Sequence, residues 1–395
     1  MERKIISINQ NWQFCRDEKW CEENSQSVCL PHSVRLEPEN YSGCRNYQGP
    51  CIYRKELFIP NDYQGKKIML EFEGAMGKSR LSINGTLVKE HFCGYIPLVA
   101  YIETFLNFGA NNTVEVFLDN SDDPEVPPGK PQGHLDFAYE GGLYRNARMT
   151  VCEPVYITNP LIADEVAGGG VFVWYSDVSD KSATVHSRVQ VKNETNTDKT
   201  LTLVTSLIDK DGNFVAKTDD ANDFLSGEAK YFEGELSIDN PKLWSPEEPN
   251  LYILRFEIFE GDNALFMQDT EIGVRTFEFT LNDGVIFNGK SRRFSGVNYH
   301  QNWPYIGNAV PDSLLMRDMM KLKQMGTENI RSHYPFSTAL TDVCNRIGLT
   351  IIVSNPGWQF CQEGIFLERA MQNIRDMIRW QRNNPCVLLW EPMLN

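Results

Sequence analysis

No run in this chain approaches the ~18 apolar residues of a membrane-spanning helix, and the opening Met1-Glu-Arg-Lys-Ile-Ile-Ser7 lacks the apolar stretch of a signal peptide. A cytoplasmic location is the expectation, or an extracytoplasmic one if a leader has been removed. Positive charge is also short. Against 53 Asp and Glu there are only 38 Lys and Arg, a net charge of −15. Nucleic acid and anionic membrane surfaces need a basic face and are not expected partners. The ten cysteines never form a Cys-x-x-Cys pair, and seven of them are scattered irregularly over the first 152 residues. Without a secretory signal they read as reduced thiols rather than a disulfide framework. His-x-His and His-x-x-x-His pairs are missing, as are Gly-rich phosphate loops of the P-loop or dinucleotide type. Neither a metal nor a cofactor is expected.

What remains is a chain with ample core. It has 395 residues, 41% of them hydrophobic, and eight Trp, enough for two or three packed domains. Residues 1–155 alternate apolar and polar residues in short segments. Lys67-Ile-Met-Leu-Glu-Phe-Glu73, Arg80-Leu-Ser-Ile83 and Thr113-Val-Glu-Val-Phe-Leu118 are separated by turn signals such as Asn84-Gly85. A period of two means one buried and one solvated face, as in a sandwich. The Pro-rich loop Asp123-Pro-Glu-Val-Pro-Pro-Gly-Lys-Pro131 is long, and long loops in compact domains are often functional. Residues 156–275 repeat the alternation in Thr184–Val191, Leu201–Leu207 and Leu251–Ile258, at a strand spacing that suits an immunoglobulin-like sandwich. They carry no catalytic constellation and read as a spacer.

From residue 276 the pattern becomes strand–helix. Strands are expected at 291–298, 328–332, 349–353 and 386–390, with helices at 311–326, 337–347 and 365–382 between them. Leu315, Met319 and Leu322 share one face of the first helix, and Gly326 stops it. Alternating βα units imply parallel strands. The fold class is thus multidomain, mostly β and then α/β, with the four units filling the first half of a (β/α)8 barrel.

In such barrels chemistry sits at the carboxyl ends of the strands. His300 and His333 follow the first two strands, and His134 lies in the loop before Gly141-Gly142. A neutral imidazole both donates to and accepts from hydroxyls. Trp303, Trp358 and Trp390 also lie at or beyond strand ends, and aromatic faces stack on pyranose rings. One His at a strand end more simply serves a structural hydrogen bond, and one Trp core packing. Two His at the same end of adjacent strands favour a site for a polar small molecule.

Particular fragments go further. Leu30-Pro-His32, Tyr53-Arg-Lys55, Gly141-Gly-Leu-Tyr-Arg145, Leu243-Trp-Ser-Pro246, Gly273-Val-Arg275, Gly296-Val-Asn-Tyr-His300, Arg331-Ser-His-Tyr-Pro335 and Asn383-Asn-Pro385 occur in this order along nearly the whole chain. Together they resemble glycoside hydrolase family 2, the β-galactosidase and β-glucuronidase family. The resemblance makes the first domain a jelly-roll-like, sugar-binding-like sandwich. It also implies a retaining mechanism with two glutamates roughly 5 Å apart. The family motif puts Asn immediately before the acid/base, which is therefore expected directly after Asn395, with the nucleophile further on. No catalytic carboxylate is expected within residues 1–395, and the fragment alone is expected to be inactive. Glu391 is a second candidate for the acid, with the poorer motif alignment.

By the same resemblance Asn395 holds the sugar 2-hydroxyl, His300 and His333 hold other hydroxyls, and Asp136 reaches the barrel site from the sandwich. Arg331 orients the nucleophile, although the family usually has one more residue between that Arg and His. Trp358 completes the expected substrate-binding set. Tyr299 stands where many members have Arg, and Ser354-Asn355 replaces an acidic pair, which argues against a magnesium site. The expected activity is a retaining exo-glycosidase on terminal β-linked sugars, β-galactosides first and β-glucuronides second. A carbohydrate substrate is the expected partner, and a homo-oligomer is compatible. The rival readings are a non-catalytic carbohydrate-binding protein and a degenerate barrel serving as a scaffold.

Overall fold

The structure, a computed structural model, describes residues 3–34, 47–135, 137 and 140–392. Asp136 and Asn395 lie outside the described residues. Two sheets form the first sandwich, one of six strands and one of four. The alternation seen in the sequence is their inside and outside: in the strand Ala110–Asp119, Val114, Val116 and Leu118 are buried with Trp12, Tyr53 and Phe72. Asn84 and Gly85, at φ 51° and 79°, make the tight turn between Lys78–Ile83 and Thr86–His91. The second sandwich pairs Ser182–Asn193 with its neighbours on one sheet and Lys199–Ile208 with Tyr252–Glu260 on the other. Its own core holds Val189, Leu203 and Phe256.

Four parallel strands follow: β1 (Gly296–Asn298), β2 (Asn329–Arg331), β3 (Thr350–Ser354) and β4 (Val387–Glu391), side by side in chain order. Between them run α1 (Asp312–Gln324), α2 (Thr338–Ile347) and α3 (Ile365–Gln381). Ser337 caps α2 by accepting from the Leu340 amide at 3.3 Å, and Gly348 ends it in the left-handed region. Ile330, Ile351, Val353 and Val387 face the helices and share a core with Leu315, Met319, Leu340 and Met377. Val297 and Leu389 are exposed by 40% and 37%. None of the helices among the described residues is long and apolar enough to cross a membrane.

The single strand expected at 291–298 is two pieces. Asn288 and Gly289, at φ 46° and 75°, turn the chain back, so Lys290–Arg292 pairs locally with Gly284–Phe287 in an antiparallel three-stranded sheet. The chain then breaks before β1 to run parallel with β2. A hairpin turn wins over a continuous strand because its partner is already adjacent.

The three parts are stitched together by the fragments that carried the resemblance. The Trp244 indole N–H donates to the Asn345 carbonyl at 2.8 Å. A Cβ on Gly273 would come within 2.8 Å of Pro385, so only glycine admits that approach. Beside it Arg275 donates to the carbonyls of Pro385 and Val387. Asn383 accepts from the Val173 amide at 3.1 Å. Arg145 reaches from the first sandwich to the Pro335 carbonyl at 2.7 Å. Met76, Cys93, Tyr95, Ile96 and Tyr144 of that sandwich are buried in the same cluster as the barrel core.

Candidate active site

His300 lies two residues beyond β1, His333 two beyond β2 and Trp358 four beyond β3, all at the same end of the sheet. The His300 and His333 rings stack at 4.9 Å. Phe137 covers them, at 4.5 Å from His300 and 5.2 Å from His333, and its ring meets Trp358 edge-on at 4.7 Å. The Trp358 indole N–H donates to the His333 carbonyl. Below, Tyr334 stacks on Tyr95 of the first sandwich at 4.3 Å, and its hydroxyl accepts from the Gln301 amide at 3.0 Å. Imidazoles walled by aromatic rings offer what a sugar needs: hydroxyl partners and apolar faces.

Phe137 arrives on the Pro-rich loop, which is docked rather than free. Gly129, at φ 74°, sits so close to Phe360 that a Cβ would lie 2.4 Å from the ring. Lys130 Nζ donates to Gln359 Oε1 at 2.6 Å, and Arg369 of α3 donates to the Glu125 carbonyl at 2.9 Å. The loop after β1 is held from the same side: the Asn308 amide donates to Glu140 Oε2 and the Glu140 amide to Asn308 Oδ1, both at 2.9 Å. Two domains therefore build one wall.

Arg331 is placed differently from the histidines. Its Nε and Nη2 fork onto Glu391 at 3.0 and 2.8 Å, across β3, and Ser354 Oγ donates to the same carboxylate. Burial raises the Glu391 carboxyl, but the hydrogen bonds from Arg331 and Ser354, with the charges of Arg331 and His333, outweigh it and hold the group below its ordinary value. A general acid needs the opposite, so the geometry disfavours Glu391 as proton donor. Of the other aromatics after strand ends, Trp303 and Tyr299 both turn to Asp318 of α1, donating to one oxygen at 2.8 and 3.0 Å. Trp390 packs partly buried against the core. His134 is exposed at the end of a 3-10 turn.

Sequence reasoning had missed Phe137, Tyr95 and the Glu391 fork. Only the length of the Pro-rich loop pointed toward the first. The site and the fold now stand beside known proteins. Residues 170–275 match the model of glycosyl hydrolases family 2, and residues 279–392 match that family's TIM barrel domain. The chain belongs to glycosyl hydrolase family 2. It is 28% identical over 407 residues to a β-galactosidase of Thermoanaerobacter pseudethanolicus, covering all of this chain and 52% of that protein. A β-galactosidase of Thermoanaerobacterium thermosulfurigenes is 30% identical over the whole chain and 54% of its own length. A β-glucuronidase of Formosa agariphila is 26% identical, with 42% of it covered. Among solved structures, Bacteroides uniformis β-glucuronidase 2, covalently bound to cyclophellitol-6-carboxylate aziridine, superposes with a TM-score of 0.89. It is 28% identical, with 98% of this chain and 46% of that one covered. The chain spans about half the length of the curated relatives it matches.

Proposed function

We propose that this family 2 chain forms the substrate-holding half of a retaining exo-glycosidase acting on terminal β-linked sugars. β-Galactosides are the leading substrates and β-glucuronides the second reading. The observation that carries it is the cluster of His300, His333, Phe137 and Trp358 at the carboxyl ends of β1 to β3. His300 and His333 bind sugar hydroxyls, and the half-buried Phe137 ring meets the apolar face of the glycone. Trp358, only 3% exposed, backs that ring and supports the wall rather than touching the sugar. Asp136 and Asn395 add polar contacts, the latter to the 2-hydroxyl, where a hydrogen bond strengthens as the oxocarbenium-like transition state forms. In this reading the proton donor directly follows Asn395, and the nucleophile lies on a later strand. β-Galactosidases and β-glucuronidases both occur among the relatives, which supports the activity and keeps two sugars in play. The test is to express the protein from its natural gene and assay nitrophenyl β-D-galactoside and β-D-glucuronide, with residues 1–395 as a separate sample. Galactoside turnover by the former and none by the latter is expected. Faster glucuronide turnover selects the second reading. Cleavage by residues 1–395 alone, or of neither substrate by the natural protein, refutes the proposal.

A further inference from the structure

Glu391 ends β4 in register with Ser354, the last residue of β3, while Arg331 ends β2 on the far side of β3. Glu391 thus ties three consecutive strands: its carboxylate accepts two hydrogen bonds from Arg331 and one from Ser354, and its backbone carbonyl accepts from the Asn355 amide at 2.8 Å. Both partners of the fork are only partly shielded, at 24% and 27% exposure, so its worth as a stabilising ion pair is modest. Its placement says more. Among the described residues, the charged or titratable groups that bear on the carboxylate are Arg331 from β2 and His333 from the segment after it, and His333 stacks on His300. Pro392, with φ fixed and no amide proton, follows directly, and Asn395 is four residues on.

We propose that Glu391 is a positioning residue. It neutralises Arg331, which ends β2 two residues before His333, and pins the end of β4, from which the chain runs to Asn395. This rests on the glycosidase reading only for its role in turnover. A bidentate fork holds a guanidinium in one plane and direction, which a single neutral acceptor does not. Without the carboxylate, the charge of Arg331, two residues before His333, loses the partner that balances it.

The experiment is an NMR titration of the imidazole carbon resonances of the 395-residue chain, with His333 assigned from a His333→Gln sample. Glu391→Gln keeps the shape and removes the negative charge, and should move the His333 midpoint to lower pH. Arg331→Gln removes the positive charge and should move it to higher pH. The double variant should return it toward the wild-type position, and Ser354→Ala, which leaves both charges, should leave it in place. Opposite shifts that cancel in the double variant are the signature of charge balance, because general loosening moves both single variants alike. Two single variants that shift the midpoint in the same direction, or not at all, overturn the proposal. In the natural protein Glu391→Gln should also lower kcat by at least tenfold with KM within about threefold of wild type. A loss confined to KM overturns the positioning role. If the wild-type protein cleaves neither glycoside, the glycosidase reading falls and the titration alone decides this inference.

Discussion

Phe137→Ala asks whether the sandwich loop is a working wall of the site. The ring touches His300 at 4.5 Å, Trp358 at 4.7 Å and His333 at 5.2 Å, with Tyr334 further off at 6.4 Å. Truncating a fully buried Phe costs about 3–5 kcal/mol. Phe137 is only half-buried, so about 2 kcal/mol is the fair expectation. This energy acts locally, on docking of the Pro-rich loop, because the two sandwich cores do not use the residue. A shift of about 2 kcal/mol raises the undocked population roughly 30-fold. Limited proteolysis reads that population directly when docking is fast compared with cleavage, so cutting within residues 123–140 should accelerate by about the same factor. The remaining anchors, Lys130 to Gln359 and Arg369 to Glu125, are unchanged in the variant and supply the control. A cleavage rate within about threefold of wild type would show that the ring contacts hold nothing in place, and the two-domain wall would have to be abandoned.

Arg275→Met should loosen the seam between the second sandwich and the barrel. It leaves the carbonyls of Pro385 and Val387 without their donor, at a cost of about 2–4 kcal/mol, read as a lower urea midpoint for the barrel's Trp fluorescence. An unchanged midpoint counts against the seam. Burial raises the Asp342 carboxyl to about 6, with Arg346 opposing and Glu271 and Glu73 adding to it. A raised acid contributes stability below its unfolded pKa and loses it as pH climbs through about 6, so Asp342→Asn should stabilise at pH 8 and do little at pH 4. After allowance for partial exposure the gain is about 1–2 kcal/mol, and equal effects in urea melts at the two pH values would refute it. In the natural protein Asp136→Ala should slow turnover by roughly ten- to a thousandfold, the scale of a lost charged hydrogen bond to substrate, and unchanged kinetics would remove Asp136 from the site.

Periodicity made the layers legible, since both the period of two and the βα alternation are local properties of the backbone. His300, His333 and Trp358 were legible for the same reason: a strand end can be read from the apolar run before it. What escaped was non-local. Phe137 is one aromatic in a loop with no period, and it meets His333 across nearly two hundred residues of chain. The Arg331–Glu391 fork joins residues 60 apart, on strands that are not even neighbours. The break before β1 was hidden because Asn288-Gly289 offered a partner strand that alternation alone does not reveal. Several fragments that marked the family, such as Gly273-Val-Arg275 and Asn383-Asn-Pro385, lie in seams rather than at the chemistry.

The shared core of sandwich and barrel also has a timetable. Synthesis delivers the amino end first, and the strand Ala147–Cys152 that completes the first sandwich leaves the ribosome well before β4. At the usual pace of translation the delay is on the order of tens of seconds. Throughout it, Met76, Cys93, Tyr95 and Ile96, which are buried in one cluster with the barrel core, lack the barrel residues they pack with. The nascent chain is therefore most in need of a chaperone's shelter while its middle portion is being made, and slowing elongation there should cost soluble yield.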